Sequence, residues 1–416
     1  MLKERREAYL NRIEAPSISY FFSGIAPYKT ADQKYYFSVN RDFFYLTNLA
    51  IENTILVLVK SATRQESYIF TEKVDELKAL WEGPGLSFDA IAAKTELPVA
   101  NIRDLETLET FTAGIMSSNR RAIFGQISYA YLDFDRIDSK ANLTESDKHA
   151  VYLQKHYPFL SIRNAHAHLA HLRTKKDAFE ISQIQKAVDV SQQAYEHLLH
   201  VIPTLDEEHQ VEAEYNYILN KNQTIPSFNS IVASGKNGTI LHYGDNNQPL
   251  DKSGLLLLDL GVQYQNYASD ITRTYPVSGK FTKRQKEVYQ SVLNVNKAVI
   301  AWAKAGITQE AFNQFGKELI IKELYNLGLI KKDEEYAKYY YHSLGHYLGL
   351  DVHDEGNYAE PFPVGTVITV EPGIYIAEEG IGVRIEDDIV LTENGNICLS
   401  HKLVKEVVEI EKAMEK

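Results

Sequence analysis

A chain of 416 residues is longer than one ordinary compact core, so two domains are expected. Its hydrophobic share of 44% and charged share of 24% are those of a soluble globular protein. A net charge of −12 argues against nucleic acid as a partner, and no run of about 18 apolar residues is present to span a bilayer.

In chain order, Met1-Leu-Lys-Glu-Arg-Arg6 reads as a charged helix with no apolar signal core behind it. Up to residue 60 or so the pattern is helix, strand, loop, strand. Ile55-Leu-Val-Leu-Val59 is a β-branched run suited to a buried strand, with Ser67-Tyr-Ile-Phe70 as its neighbour. Helices are expected over 74–82 and 101–117, and Ala122-Ile-Phe124 as a strand. This alternation indicates an α/β domain ending near residue 165. A long helix then begins near Lys175, with Phe179, Ile181, Ile184, Ala187 and Val188 near helical spacing. The single cysteine, Cys398, excludes an internal disulfide and points to a reduced, cytoplasmic protein.

The second half has paired strands. Gly254-Leu-Leu-Leu-Leu-Asp-Leu-Gly261 leads through a turn to Asp270-Ile-Thr-Arg-Thr-Tyr275. Gly365-Thr-Val-Ile-Thr-Val-Glu-Pro-Gly373 leads similarly to Ile381-Gly-Val-Arg-Ile-Glu386. Each stretch carries an apolar strand ending in an acid and a second strand with another acid. Helices near 283–303 and 308–327 separate them. Two related halves around one centre are expected, each donating an acidic hairpin.

Acids are disfavoured in strands, and buried carboxylates are costly unless something positive meets them. For any one acid, a nearby Lys or Arg is the ordinary partner. If both hairpins converge, however, Asp259, Asp270, Glu371 and Glu386 bring four negative charges together, which two divalent cations would neutralise. Histidines cluster nearby. His342 and His346 are four apart, on one face if that stretch is helical. His353 follows closely, and His242 precedes the first hairpin.

At these residues the chain resembles the aminopeptidase P branch of the metallopeptidases with the pita-bread fold, over nearly its whole length. The most specific strings are His342-Ser-Leu-Gly-His-Tyr-Leu-Gly-Leu-Asp-Val-His-Asp354 and Gly382-Val-Arg-Ile-Glu-Asp-Asp388, with Asn40-Arg-Asp-Phe-Phe-Tyr-Leu-Thr47 matching the amino-terminal motif. The resemblance implies an amino-terminal α/β domain over 1–167. It implies an α+β pita-bread catalytic domain over 168–416, with two related halves around a binuclear metal site. Asp259, Asp270, His346, Glu371 and Glu386 fall on the family's metal ligands. Glu371, His342 and His353 fall on catalytic positions, and His242, Arg384, Tyr375 and Trp81 on substrate-binding ones. Trp81 looks like an aromatic that reaches a neighbouring subunit's site in some relatives. One departure is Phe228, where relatives often carry tyrosine. In Ala165-His-Ala-His-Leu-Ala-His171 a strand leading into a helix is expected rather than a second metal site. His171 and Arg173 match the family there, and Arg173 is a candidate for a domain-interface ion pair.

The implied activity is release of the first residue from peptides whose second residue is proline. The implied cofactors are two divalent ions, Mn²⁺ first, with Co²⁺ or Fe²⁺ as alternatives and Zn²⁺ less favoured by an O-rich shell. Proline-containing peptides and further copies of the chain, as a dimer or tetramer, are the implied partners. Glu371 is the expected general base. The X–Pro amide has no N–H, so its nitrogen must be protonated as it leaves, and His242, His342 or His353 would relay that proton. The nearest rival is prolidase, which cuts Xaa-Pro dipeptides. A non-catalytic peptide-binding relative and the metal-free creatine-hydrolysing relative are disfavoured by the intact ligand set.

Overall fold

The computed structural model describes residues 1–73, 76–117, 122–135, 138 and 140–415. The chain divides into two compact units, Met1–Leu172 and Arg173–Lys416. No described helix is long and apolar enough to cross a membrane.

The first unit is built on a six-stranded mixed sheet. Its order is Ile102–Asp104, Gln65–Thr71, Ile55–Lys60, Ser17–Phe22, Tyr129–Leu132, Ser161–Asn164. The β-branched run Ile55–Lys60 lies inside the sheet, antiparallel to both neighbours, with Leu56 to Val59 fully buried. Hydrophobic burial on both faces explains why this strand reads as continuous apolar sequence. The helix Arg41–Thr47 starts where Asn40 accepts the Phe43 N–H at 2.8 Å, and stops at Asn48 in the left-handed region. The helix Glu145–His156 has a full capping box between Thr144 and Asp147. It carries His149, whose ring lies 4.3 Å from that of Tyr20 and whose Nε2 is buried without a hydrogen-bond partner.

Two local expectations change here. Ala122 to Phe124 form a turn, and the strand comes later, at Tyr129–Leu132, where it pairs in parallel with Ser17–Phe22. The expected helix over 101–117 is shorter, Leu108–Met116. Ile102–Asp104 ahead of it is drawn into the sheet edge beside Ile69. Sheet pairing outweighed local helical preference there. Of the expected helix over 74–82, Glu76–Glu82 is helical, while 74 and 75 lie outside the described residues.

In the second unit, the long helix begins at Ala178, held by a capping box between Asp177 and Glu180. The first expected hairpin forms, and the second divides into two pairings, on either side of Glu371 and Pro372. Leu255–Leu260 pairs antiparallel with Ile271–Pro276, placing Asp259 opposite Thr272. Val367–Val370 pairs antiparallel with Asp387–Leu391, and Gly373–Ile376 with Ile381–Arg384. Helices Lys283–Trp302 and Gln309–Asn326 separate them in sequence. This is the α+β pita-bread arrangement, with an acidic hairpin from each half. The stretch His342 to His346 is irregular rather than helical. Its backbone runs against the Val367–Val370 strand, where His346 N–H donates to Thr369 Oγ1 and Thr369 N–H donates to the His346 carbonyl. A Cβ on Gly345 would lie 2.1 Å from the Thr369 carbonyl oxygen, so this approach requires glycine.

Candidate metal centre

The strands and their ends deliver the acids to one cavity. Asp259 ends the leucine strand, Asp270 immediately precedes its partner strand, Glu371 follows Val367–Val370, and Glu386 lies between Ile381–Arg384 and Asp387–Leu391. One cavity is lined by all five expected ligands and by Leu241, His242, His342, His353 and Arg384. Donor atoms of Asp259, Asp270 and Glu386 lie within 4.8 Å of one another, as do those of His346, Glu371 and Glu386. The two groups share Glu386.

Positive side chains do not balance these acids. Arg384 Nη2 meets Asp259 Oδ2 at 2.7 Å, but Asp259 Oδ1 is buried without a hydrogen-bond partner. Among the described residues, Asp270, Glu371 and Glu386 have no lysine or arginine ion pair. Burial pushes the carboxyls of Asp259, Glu371 and Glu386 above the usual range. The neighbouring acids add to this, and Arg384 works against it. Burial also works against a charged His346. Asp270 at 3.4 Å and Glu371 at 3.6 Å outweigh it and raise that imidazole to about 9. His346 Nδ1 lies 3.0 Å from the Tyr347 carbonyl. With Nδ1 as donor to that carbonyl, Nε2 is the atom that faces the carboxylates, and it would be the one to bind a metal. An orphaned carboxylate oxygen, crowded acids and one oriented imidazole fit a pair of divalent cations.

The other expected residues divide into groups. His342 Nε2 is 2.9 Å from the Tyr375 hydroxyl, which accepts from Arg384 Nη1 at 3.0 Å. Burial, aided by Arg384, lowers His342 to about 4, so it is neutral at pH 7. The His353 ring lies 4.1 Å from that of His346, and burial lowers its pKa. His242 lines the cavity. Trp81 belongs to the other unit, on Glu76–Glu82, and is 84% exposed. Phe228 lies against Gly261, at the end of the leucine strand. Arg173 pairs with Asp351, Asp354 and Glu355 inside the second unit.

Several contributors escaped the sequence reading. Thr272 donates to Glu386 Oε2 at 2.7 Å and accepts from Arg384 Nε at 3.0 Å. Its position two residues after Asp270 in a strand was the available signal. Behind the site, Asp387 is fully buried and accepts from Arg273 at 2.8 Å, Ser400 at 2.6 Å, Lys405 at 2.6 Å and Asn296 at 3.1 Å. Arg273 also donates to the Glu386 carbonyl, and Asn296 to those of Val370 and Ile385. This ionic wall therefore grips the backbone beside Glu371 and Glu386. Burial works against the Asp387 anion, but Arg273 and Lys405 hold its carboxyl far below the usual range. Asp388 accepts the Asp270 N–H at 3.2 Å.

Comparison with known proteins agrees with this architecture. Residues 182–393 match metallopeptidase family M24, and residues 2–124 match the aminopeptidase P N-terminal domain. The chain is 32% identical to the Xaa-Pro aminopeptidase of Haemophilus influenzae over 99% of this chain and 96% of that protein. It is 30% identical to the Xaa-Pro aminopeptidase of Escherichia coli over 99% and 97%. A solved structure from Bacillus anthracis superposes with a TM-score of 0.94 at 35% identity, covering 99% and 97% of the two chains. Aminopeptidase P from E. coli with the inhibitor Pro-Leu superposes at 0.88 and 28%, with the same coverage. The resemblance carried by the motifs is borne out: this chain belongs to metallopeptidase family M24, in the group with an aminopeptidase P amino-terminal domain.

Proposed function

We propose that this protein is a two-metal Xaa-Pro aminopeptidase, with Asp259, Asp270, His346, Glu371 and Glu386 holding the ions. The convergence of four carboxylates and one oriented imidazole carries this reading, because among the described residues only Asp259 has a lysine or arginine ion pair, to Arg384. The oxygen-rich donor set favours Mn²⁺, with Co²⁺ next. Bound there, two divalent cations would lower the pKa of a water toward about 7 and polarise the scissile carbonyl.

The remaining chemistry falls to the chain. Glu371 takes the proton released when water adds to the carbonyl carbon, as a carboxylate that lines the cavity. The same proton must reach the proline nitrogen as the C–N bond breaks. His353 and His342 are the groups for that transfer and for stabilising the tetrahedral intermediate. The neutral His342, paired with Tyr375 beside Arg384, fits the second role. His242 completes the substrate side of the cavity.

Assembly into a homo-oligomer gives a role to the exposed Trp81, and one half-buried cysteine suits a reducing cytoplasm. Prolidase is the competing reading. Metal-free protein reloaded with Mn²⁺ should release the first residue from Xaa-Pro-Yaa tripeptides faster than it splits Xaa-Pro dipeptides, with products identified by mass. The reverse ranking would assign a prolidase, and no cleavage with both ions bound would reject the peptidase reading.

A further inference from the structure

His353 makes no ring hydrogen bond to any described residue, and its neighbour is His346 at 4.1 Å between centroids. A group that must meet a leaving nitrogen needs a defined position. That position comes from the next residue along the chain. The Asp354 side chain is 1% exposed, and its two oxygens meet Arg173 Nη2 at 2.6 Å and Lys176 Nζ at 2.7 Å. Arg173 also reaches Asp351 at 2.7 Å and Glu355 at 3.0 Å. One guanidinium thus grips the loop on both sides of His353. Burial works against the Asp354 anion, but Lys176 and Arg173 outweigh it and hold its carboxyl below the usual range.

The backbone completes the arrangement. Asp354 N–H donates to the Tyr347 carbonyl at 2.9 Å, the same oxygen that His346 Nδ1 meets at 3.0 Å. A Cβ on Gly349 would lie 2.2 Å from Asp354 Oδ2, so the carboxylate fills the space a side chain would take. The imidazole among the carboxylates and the imidazole beside it are therefore referred to one peptide group.

We infer that Arg173, Lys176 and Asp354 form a latch that positions His353 for proton delivery. The inference rests on the role given to His353 above. Its geometric basis is a fully buried anion between two cations, one residue from a ring with no hydrogen bond of its own. These three are positioning residues, since none lines the cavity.

The test is a double-mutant cycle on the full-length Mn²⁺-loaded enzyme with Asp354→Asn, His353→Ala and both together. Turnover, KM, metal content and circular dichroism are measured for each. Asp354→Asn is expected to lower kcat about tenfold while keeping both metals, in line with losses of supporting partners elsewhere. In the His353→Ala background the same change should cost less than about twofold. Additive losses would overturn the latch, because a merely structural defect acts whether or not His353 is present. Unchanged turnover in His353→Ala with metals bound would instead overturn the role of His353 itself. Should Asp354→Asn fail to fold, Lys176→Met removes one cation and enters the same cycle, with about a threefold loss expected and the same non-additivity required.

Discussion

Arg384 Nη2 lies 2.7 Å from Asp259 Oδ2, and among the described residues it is the one guanidinium paired with any of the four converging carboxylates. The same side chain holds Tyr375 and Thr272, so it is fixed in place rather than free to serve the other acids. The remaining negative charge is left for cations.

Glu386 belongs to both donor groups, so Glu386→Ala should remove at least one metal equivalent and lower turnover by about a thousandfold or more. Asp270→Ala should do the same. Elemental analysis beside a kinetic assay checks both, and full activity in a protein without metal would reject the scheme.

Chelation should destabilise the unit Arg173–Lys416, because metal binds the folded acids and not the unfolded chain. Free metal at 100 times its dissociation constant is expected to add about 2.7 kcal/mol. Calorimetry with and without Mn²⁺ reads the difference, and an unchanged melting temperature would contradict it.

His353→Ala should keep both metals while lowering kcat by about a hundredfold, since the residue is assigned to proton transfer and not to metal binding. Steady-state kinetics and metal content on one preparation separate the two effects.

The first unit carries an acid-sensitive element. Burial lowers His149 to about 4, from an ordinary value near 6.5. Because the folded pKa lies below the unfolded one, the unfolded chain takes the proton first. Stability is intact above about pH 6.5 and falls as pH drops toward 4, by about 2–3 kcal/mol from this group. His149→Phe keeps a ring beside Tyr20 and removes the titration. Amide exchange in Ser17–Phe22 should then lose part of its acid sensitivity relative to wild type.

Gly345→Ala puts a methyl group 2.1 Å from the Thr369 carbonyl oxygen. Relief would move His346 away from the acids. A stability loss of about 1–3 kcal/mol with weaker metal binding is expected, read by denaturation and metal titration.

Much of this site was legible because buried strands seldom carry acids. Asp259 at the end of four leucines and Glu371 after Thr-Val-Ile-Thr-Val advertised a special environment before any fold was known. The strands themselves followed from β-branched runs such as Ile55 to Val59. What escaped depended on the sheet. Ile102 joins an edge strand through its partner Ile69, which local helical spacing does not reveal. His342 and His346 would share a face if that stretch were helical, yet the irregular chain there is pinned by Thr369, a residue more than 20 positions away. Arg273 and Asp387 are ordinary charges in sequence, and their role emerges once both are sealed behind the ligands.

The ionic wall around Asp387 bears on what holds the acids of the cavity in place. Arg273 and Asn296 fasten the peptides beside Glu371 and Glu386, so protein contacts help to set where those two acids stand. Ions bound there would add to a framework that protein contacts also hold, unlike the small zinc domains that fold around their ion.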